Sequence, residues 1–339
     1  MANANGLSKP ADVLEFIRTP RVIDGGFTTE MELEGFHFQG WRSLDLWSSI
    51  VLLGAQNTII PVHKRFLNAG AEILMTNTYS LCLQTLAKLG LTKPQSQELM
   101  QDAVAIARQA VDEWRAERPE NEKRPVLIAG CVGPYSCTMK PKVRDSHGHG
   151  PYGGNYVDDT HPDWITAYYV EQLGALDAAG CDLLAAETIP ALKEAECILH
   201  ALDALQSSTP VWIAFSCNSA STVCHGEAFA EAIHLCAKHK QVAAVGVNCS
   251  DPKLVSSLLK SAAPFKPPDK PFVVYPNSGE MYCFNKGWSG KAERAERWHE
   301  LIPEWIELGA TLIGGCCRVY SRDIAEIAKN VKEQSTKIS

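Results

Sequence analysis

Short, continuous apolar runs rich in β-branched residues recur along the whole chain. They cover Arg21–Gly25, Glu72–Tyr79, Val126–Pro134, Asp182–Thr188, Val211–Cys217, Val242–Ser250, Phe272–Gly279 and Leu312–Cys317. Continuous rather than alternating apolarity predicts strands buried on both faces, as in parallel sheets. Between them the apolar spacing turns helical, as in residues 94–114 and 162–180. Gly70 and Gly180 each stand between such a helix and the next run, where glycine closes helices in the left-handed conformation. Eight βα units predict an α/β fold, a single (βα)8 TIM-type barrel of eight parallel strands over residues 1–339. Its core is expected at about 20–330, with 1–19 and 333–339 peripheral. The rival, an open doubly wound sheet, typically carries a glycine fingerprint after its first strand. Asp24–Phe27 reads DGGF rather than GxGxxG, and no GxxxxGK[ST] occurs.

With 339 residues, 45% of them apolar, the chain buries a sizeable core. A net charge of −7 argues against a nucleic-acid partner, and no apolar run approaches the ~18 residues of a membrane span. The opening MANANGLSKP has no signal-peptide pattern, so a cytoplasmic location is expected. Most of the twelve cysteines, Cys131, Cys181 and Cys217 among them, sit in apolar runs and read as small buried hydrophobes. Trp212 and Trp305 read as packing residues. The stretch 137–157 reads as a long loop on the catalytic face, able to act as a lid, with His147 and His149 solvated in it. An apolar outer helix face leaves a homo-oligomer possible.

Polar and metal-binding side chains collect at the strand ends: Asp24, Thr76, Glu187, Asn248, Cys249, Asn277, Cys316 and Cys317. In a barrel these converge on one rim. Cys249 follows the sixth run, Cys316 and Cys317 follow the eighth, and one strand separates the two. Three thiolates suit Zn²⁺ with a fourth position open to substrate. Three buried thiols, or a strained disulfide between neighbours, are the plainer alternatives. A three-thiolate zinc is suited to holding a substrate thiol deprotonated, which points to S-alkylation.

The motifs DGGFTTEMELEG, AGAEILMTNTY, VGPY, AAET, GVNCS, VYPNSGE and GGCCR, in that order, resemble the homocysteine S-methyltransferase family over nearly the full length. The resemblance implies a zinc-dependent barrel enzyme that methylates L-homocysteine to methionine. It implies zinc on Cys249, Cys316 and Cys317, and the substrate α-ammonium between Asp24 and Glu187. The α-carboxylate would lie against Gly25, Gly26 and Thr76, and the methyl donor near Trp47. Asn248 and Asn277 would orient ligands or substrate, or close backbone hydrogen bonds. Betaine-dependent members have tyrosines where Thr188 and Ser80 stand here. LWSS, VVYPNSGE and GGCCR look more like the S-methylmethionine-dependent branch, with S-adenosylmethionine as a possible second donor. Betaine as donor, selenohomocysteine or selenocysteine as acceptor, a zinc hydrolase and a non-enzymatic zinc or thiol redox sensor are the alternatives.

Overall fold

The computed structural model describes residues 9–33, 35–36, 46–139, 153–283, 287–289 and 298–338. Eight parallel strands form one sheet: β1 (Arg21–Val22), β2 (Ile73–Met75), β3 (Leu127–Val132), β4 (Leu183–Ile189), β5 (Val211–Phe215), β6 (Val242–Asn248), β7 (Phe272–Tyr275) and β10 (Ala310–Ile313). Around the sheet they run β1-β10-β7-β6-β5-β4-β3-β2. A parallel bridge between Ile23 and Ile73, with the Asp24 amide donating to the Ile73 carbonyl at 3.0 Å, brings the two edges together into a barrel. Each strand lies within or overlaps one predicted apolar run. A short antiparallel pair, β8 (Met281–Cys283) and β9 (Gly287–Ser289), interrupts the chain between β7 and β10 and was not anticipated.

The helices follow from local chemistry. Helix Lys93–Ala116 opens on a capping box in which Thr92 and Gln95 satisfy each other's backbone amides. Helix Pro252–Ala262 starts with Asp251 accepting from the Lys253 amide at 2.9 Å, followed by a proline in its first turn. Gly70 (φ 108°) and Gly180 (φ 80°) take the left-handed conformation expected of them.

Side chains alternate along every strand, and the alternation divides the core in two. Outward residues such as Ile128, Val132, Leu184 and Ile213 pack with the helices. Inward residues such as Leu127, Ala129, Leu183, Ala185, Trp212, Val273 and Tyr275 fill the lumen. Val13, Phe16 and Ile17, from helix Pro10–Phe16 and its end, are buried with that inner set. Within the stretch 1–19 expected to be peripheral, these three residues instead belong to the core. Burying a side chain such as Phe16 contributes about 1.5–3 kcal/mol, so the short helix is part of the core. At the other end, helix Ser321–Ile338 carries the chain through Lys332 and beyond with largely exposed side chains.

Candidate active site

All the chemistry lies at the C-terminal ends of the strands, around a pocket of about 150 Å³. Asp24, Gly25, Gly26, Thr76, Glu187, Cys249, Cys316 and Cys317 all line it. The three cysteines form its most compact feature. The Sγ atoms of Cys249 and Cys317 are 3.8 Å apart, those of Cys316 and Cys317 are 4.0 Å apart, and all three lie within 4.8 Å of one another. Three sulfurs bound to a tetrahedral zinc at ~2.3 Å would stand about 3.8 Å apart, so the spacing fits that ion. The Cys249 and Cys316 thiols hydrogen-bond to Cys317, and with the nearby Arg318 guanidinium they hold Cys317 well below the usual thiol range. No disulfide joins any described cysteine.

Two tight loops hold these thiols in place. Cys249 has left-handed backbone (φ 50°), and its amide donates to the Tyr275 carbonyl at 3.2 Å. Asn277 accepts from the Cys317 amide at 3.1 Å, so of the two roles considered for Asn277 it closes a backbone bond. Arg318, also left-handed (φ 64°), donates to Glu32 at 2.9 Å and to Glu280 at 3.4 Å, tying the loop from both sides. The Gly25–Gly26 turn packs directly against this loop. A Cβ on Gly26 would stand 2.5 Å from the Cys316 carbonyl, and one on Gly315 would stand 2.1 Å from the Val319 side chain. Only glycine permits that approach.

Opposite the thiols are two buried carboxylates. Asp24 Oδ2 accepts from the Met75 amide at 2.9 Å, while Oδ1 is buried without a partner. Burial pushes the Asp24 carboxyl well up, and the nearby Glu187 charge adds to it. Glu187 is pushed up to about 7 by burial, opposed by hydrogen bonds from Cys131 and Tyr275. Its Oε1 is 2.6 Å from Cys131 Sγ and its Oε2 is 3.3 Å from Asn248 Nδ2. An acceptor left empty beside a second raised carboxyl is a receptor for a cation.

Asn248 is bound up on this side of the pocket. Its Oδ1 accepts from the Thr188 amide at 2.7 Å and its Nδ2 donates to Thr188 Oγ1 at 2.9 Å. Thr188 is a β-branched residue at φ 61°, a conformation that costs about 1–3 kcal/mol and persists only when surroundings impose it.

Two of the groups expected at the α-carboxylate have partners inside the protein. The Gly26 amide already donates to the Val319 carbonyl at 2.9 Å. The Thr76 hydroxyl accepts from the Cys131 amide at 3.0 Å and lies 2.7 Å from Thr78 Oγ1. Thr78 in turn donates to the Cys131 carbonyl at 2.6 Å, so the Thr76 proton goes to Thr78. Thr76 therefore stitches β2 to β3. Trp47 opens a 3-10 helix, Trp47–Leu53, but its side chain lies outside the described residues, as do His147, His149 and most of the 137–157 loop. Both ends of that loop are fixed by Glu194. This buried carboxylate accepts from the Tyr135 amide at 2.6 Å, from the Tyr169 hydroxyl at 2.7 Å and from the Tyr156 hydroxyl.

A profile of the homocysteine S-methyltransferase family matches residues 21–331. The chain belongs to that family. It is therefore a methyltransferase, and its sequence resemblance and its barrel agree. Over 309 residues it is 34% identical to homocysteine S-methyltransferase YbgG of Bacillus subtilis, covering 91% of this chain and 93% of the relative. It is also 34% identical over 297 residues to a betaine-homocysteine S-methyltransferase of Drosophila melanogaster, covering 84% and 87%. Among solved structures, the metallated form of the homocysteine methyltransferase MmuM from Escherichia coli superposes with a TM-score of 0.78 at 30% identity, covering 95% of this chain and 99% of that one.

Cys131 and Tyr275 are the site residues that sequence reasoning missed, since Cys131 read as an inert buried thiol. The signal was present in the strand parity. Counting by two from Leu127 and Ala129 places Cys131 in the lumen at its top, and the same count from Val273 reaches Tyr275.

Proposed function

We propose that this protein transfers a methyl group from a sulfonium donor, S-methylmethionine or S-adenosylmethionine, to the thiol of L-homocysteine, using zinc held by Cys249, Cys316 and Cys317. One observation carries the reading: three sulfurs at zinc spacing face two buried carboxylates, one with an empty oxygen, across a single small pocket. A thiol acceptor with an α-ammonium group matches both walls at once. A thiol sensor would leave the carboxylates unexplained.

Bound zinc would act as a Lewis acid that keeps a coordinated thiol deprotonated at neutral pH. Asp24 and Glu187 would bracket the ammonium, and their raised proton affinity would fall as the cation enters. With the Gly26 amide occupied, the Gly25 amide of the same turn is the donor we assign to the α-carboxylate. A C–S bond forms to the methyl as the donor's C–S bond breaks, leaving a neutral thioether. Opposite charges disappear in that step, so an environment of low dielectric favours it. Holding sulfur and methyl in line supplies much of the acceleration.

Phe27 and Tyr79 are the aromatic side chains described in the pocket wall, suited to a soft sulfonium cation. Ser80 donates to the Leu46 carbonyl and Thr188 is held by Asn248, so neither position offers the aromatic face expected for betaine. We place the enzyme in the cytoplasm, where reduced thiols persist. No described helix is long and apolar enough to cross a membrane.

The test is methionine formation by metal-analysed protein given homocysteine with S-methylmethionine, S-adenosylmethionine or betaine in turn. Turnover with a sulfonium donor, lost on chelation and restored by zinc, is expected. Preference for betaine would overturn the donor assignment, and protein that carries no zinc would overturn the mechanism.

A further inference from the structure

Asn77 and Ser80 stand in the turn that follows β2, and both line the pocket. Facing them is the 3-10 helix Trp47–Leu53, whose Ser48 lines the pocket as well. Seven residues is long for a 3-10 helix, and Leu46 ahead of it provides no side-chain cap. The turn supplies what the helix lacks. Asn77 Oδ1 accepts from the Ser48 hydroxyl and Asn77 Nδ2 donates to the Ser48 carbonyl, each at 3.0 Å. A carbonyl can only accept, so the amide is fixed in this orientation. The Ser80 hydroxyl donates to the Leu46 carbonyl, which leaves its oxygen to accept from the Ser49 hydroxyl at 3.3 Å. Leu46, Ser48, Ser49, Asn77 and Ser80 are all buried. The turn is itself anchored, because the Tyr79 carbonyl accepts from the Gly133 amide at 3.0 Å. Fixation thus passes from the end of β3 to the turn after β2, and from there to the helix.

We propose that Asn77 and Ser80 are positioning residues for the methyl donor: they lock the Trp47–Leu53 helix against the turn after β2 and so hold the pocket wall on which the sulfonium lies. The inference rests on the function proposed above and extends it to the donor side. The acceptor's thiol and ammonium are already assigned to the three cysteines and to Asp24 and Glu187. Among the described residues, the side-chain hydrogen bonds of Asn77 and Ser80 reach none of those groups. Between the two stands Tyr79, an aromatic side chain of the pocket wall suited to a soft cation. Methyl transfer needs the donor carbon in line with the acceptor sulfur, and a misplacement of about 1 Å is enough to cost rate. A wall hung on a short uncapped helix keeps that alignment only while its outside ties hold.

Loosening this wall should act on the donor and spare the acceptor. Asn77→Ala removes both bonds to Ser48. It is expected to raise KM about tenfold for S-methylmethionine or S-adenosylmethionine, whichever the unaltered enzyme prefers, and to lower kcat about threefold. The homocysteine dissociation constant, measured by calorimetry on zinc-loaded enzyme without donor, should change less than about twofold. Ser48→Ala and Ser80→Ala each remove a smaller part of the lock and should raise donor KM about threefold. They carry the test if Asn77→Ala fails to fold. In the double variant of Asn77 and Ser48 the serine change should add nothing, because its hydroxyl acts only through the amide. Unchanged donor KM in any of the three folded single variants would overturn the inference and leave the proposed function standing. So would a homocysteine dissociation constant that rises in step with donor KM, since the whole pocket would then be the unit affected. A Ser48 effect that persists in the double variant would overturn it as well, by showing that the hydroxyl meets the donor itself. An unaltered enzyme that binds homocysteine but turns over with neither sulfonium would overturn this inference and the proposed function together.

Discussion

Asn248 holds Thr188 at both ends, its Oδ1 2.7 Å from the threonine amide and its Nδ2 2.9 Å from the threonine hydroxyl. Thr188 sits at φ 61° immediately after Glu187, and Asn248 immediately precedes Cys249, so one amide side chain links the carboxylate wall to the thiol wall. Replacing Asn248 with alanine leaves the Thr188 amide buried and unpaired and releases the strained turn. A stability loss of about 2–4 kcal/mol is expected, with a raised homocysteine KM. Asn248→Asp keeps the acceptor for the Thr188 amide but sets a second carboxylate against Glu187. It should recover part of the stability and none of the KM. Denaturant unfolding and steady-state kinetics on the two variants separate these effects.

The thiol cluster predicts a shared loss. Alanine at Cys249, Cys316 or Cys317 should each lower bound zinc to background and abolish turnover, because two remaining sulfurs cannot hold the ion at neutral pH in competition with solvent. Cys131→Ser, by contrast, should keep full zinc. Elemental analysis of the purified variants is the measurement, and zinc retained at unit stoichiometry in any of the three alanine variants would count against the site.

The carboxylates predict a selective loss. Asp24→Asn and Glu187→Gln should each raise homocysteine KM by about ten- to a hundredfold, the range for a hydrogen bond to a charged group. Donor KM should move far less, since both carboxylates are assigned to the acceptor. Equal weakening of both substrates would argue that these residues shape the pocket as a whole.

His63 supplies a pH prediction of its own. It lies on helix Ile59–Ala69 with its ring 5.3 Å from Phe27, and neither ring nitrogen has a partner. Burial drops its pKa from the ordinary 6.5 to about 4. Between those values the unfolded chain binds a proton that the native protein does not, so stability rises with pH there. The contribution is complete above about 6.5 and is lost as pH falls toward 4, to the order of 3 kcal/mol. Raised carboxyls such as Glu194 act with the opposite sign, so the difference between His63→Phe and the unaltered protein is the quantity to follow. The variant should show a flatter decline in unfolding free energy from pH 7 to pH 4. Parallel curves would mean that His63 finds a partner on protonation.

Most of the barrel was legible because buried parallel strands announce themselves as unbroken apolar runs, and the strand-end cysteines and acids stood out against them. Helix Pro10–Phe16 was not legible. Its three buried residues make too short a pattern to show which surface they cover, and only the lumen floor explains them. The internal partners of Gly26 and Thr76 were not legible for a different reason. A sequence shows which donors exist but not which are already engaged, and Val319 and Thr78 had taken these two. Cys131 and Tyr275 were within reach, since strand parity alone turns both toward the lumen.

The carboxylate of Glu194 ties Tyr135 and Tyr156 to a helix of the barrel wall. Ser136 and Cys137, just past the first of those two tyrosines, are buried and line the pocket. One carboxylate on an outer helix thus steadies a piece of the pocket rim, and a change at Glu194 would be felt in the pocket without touching it.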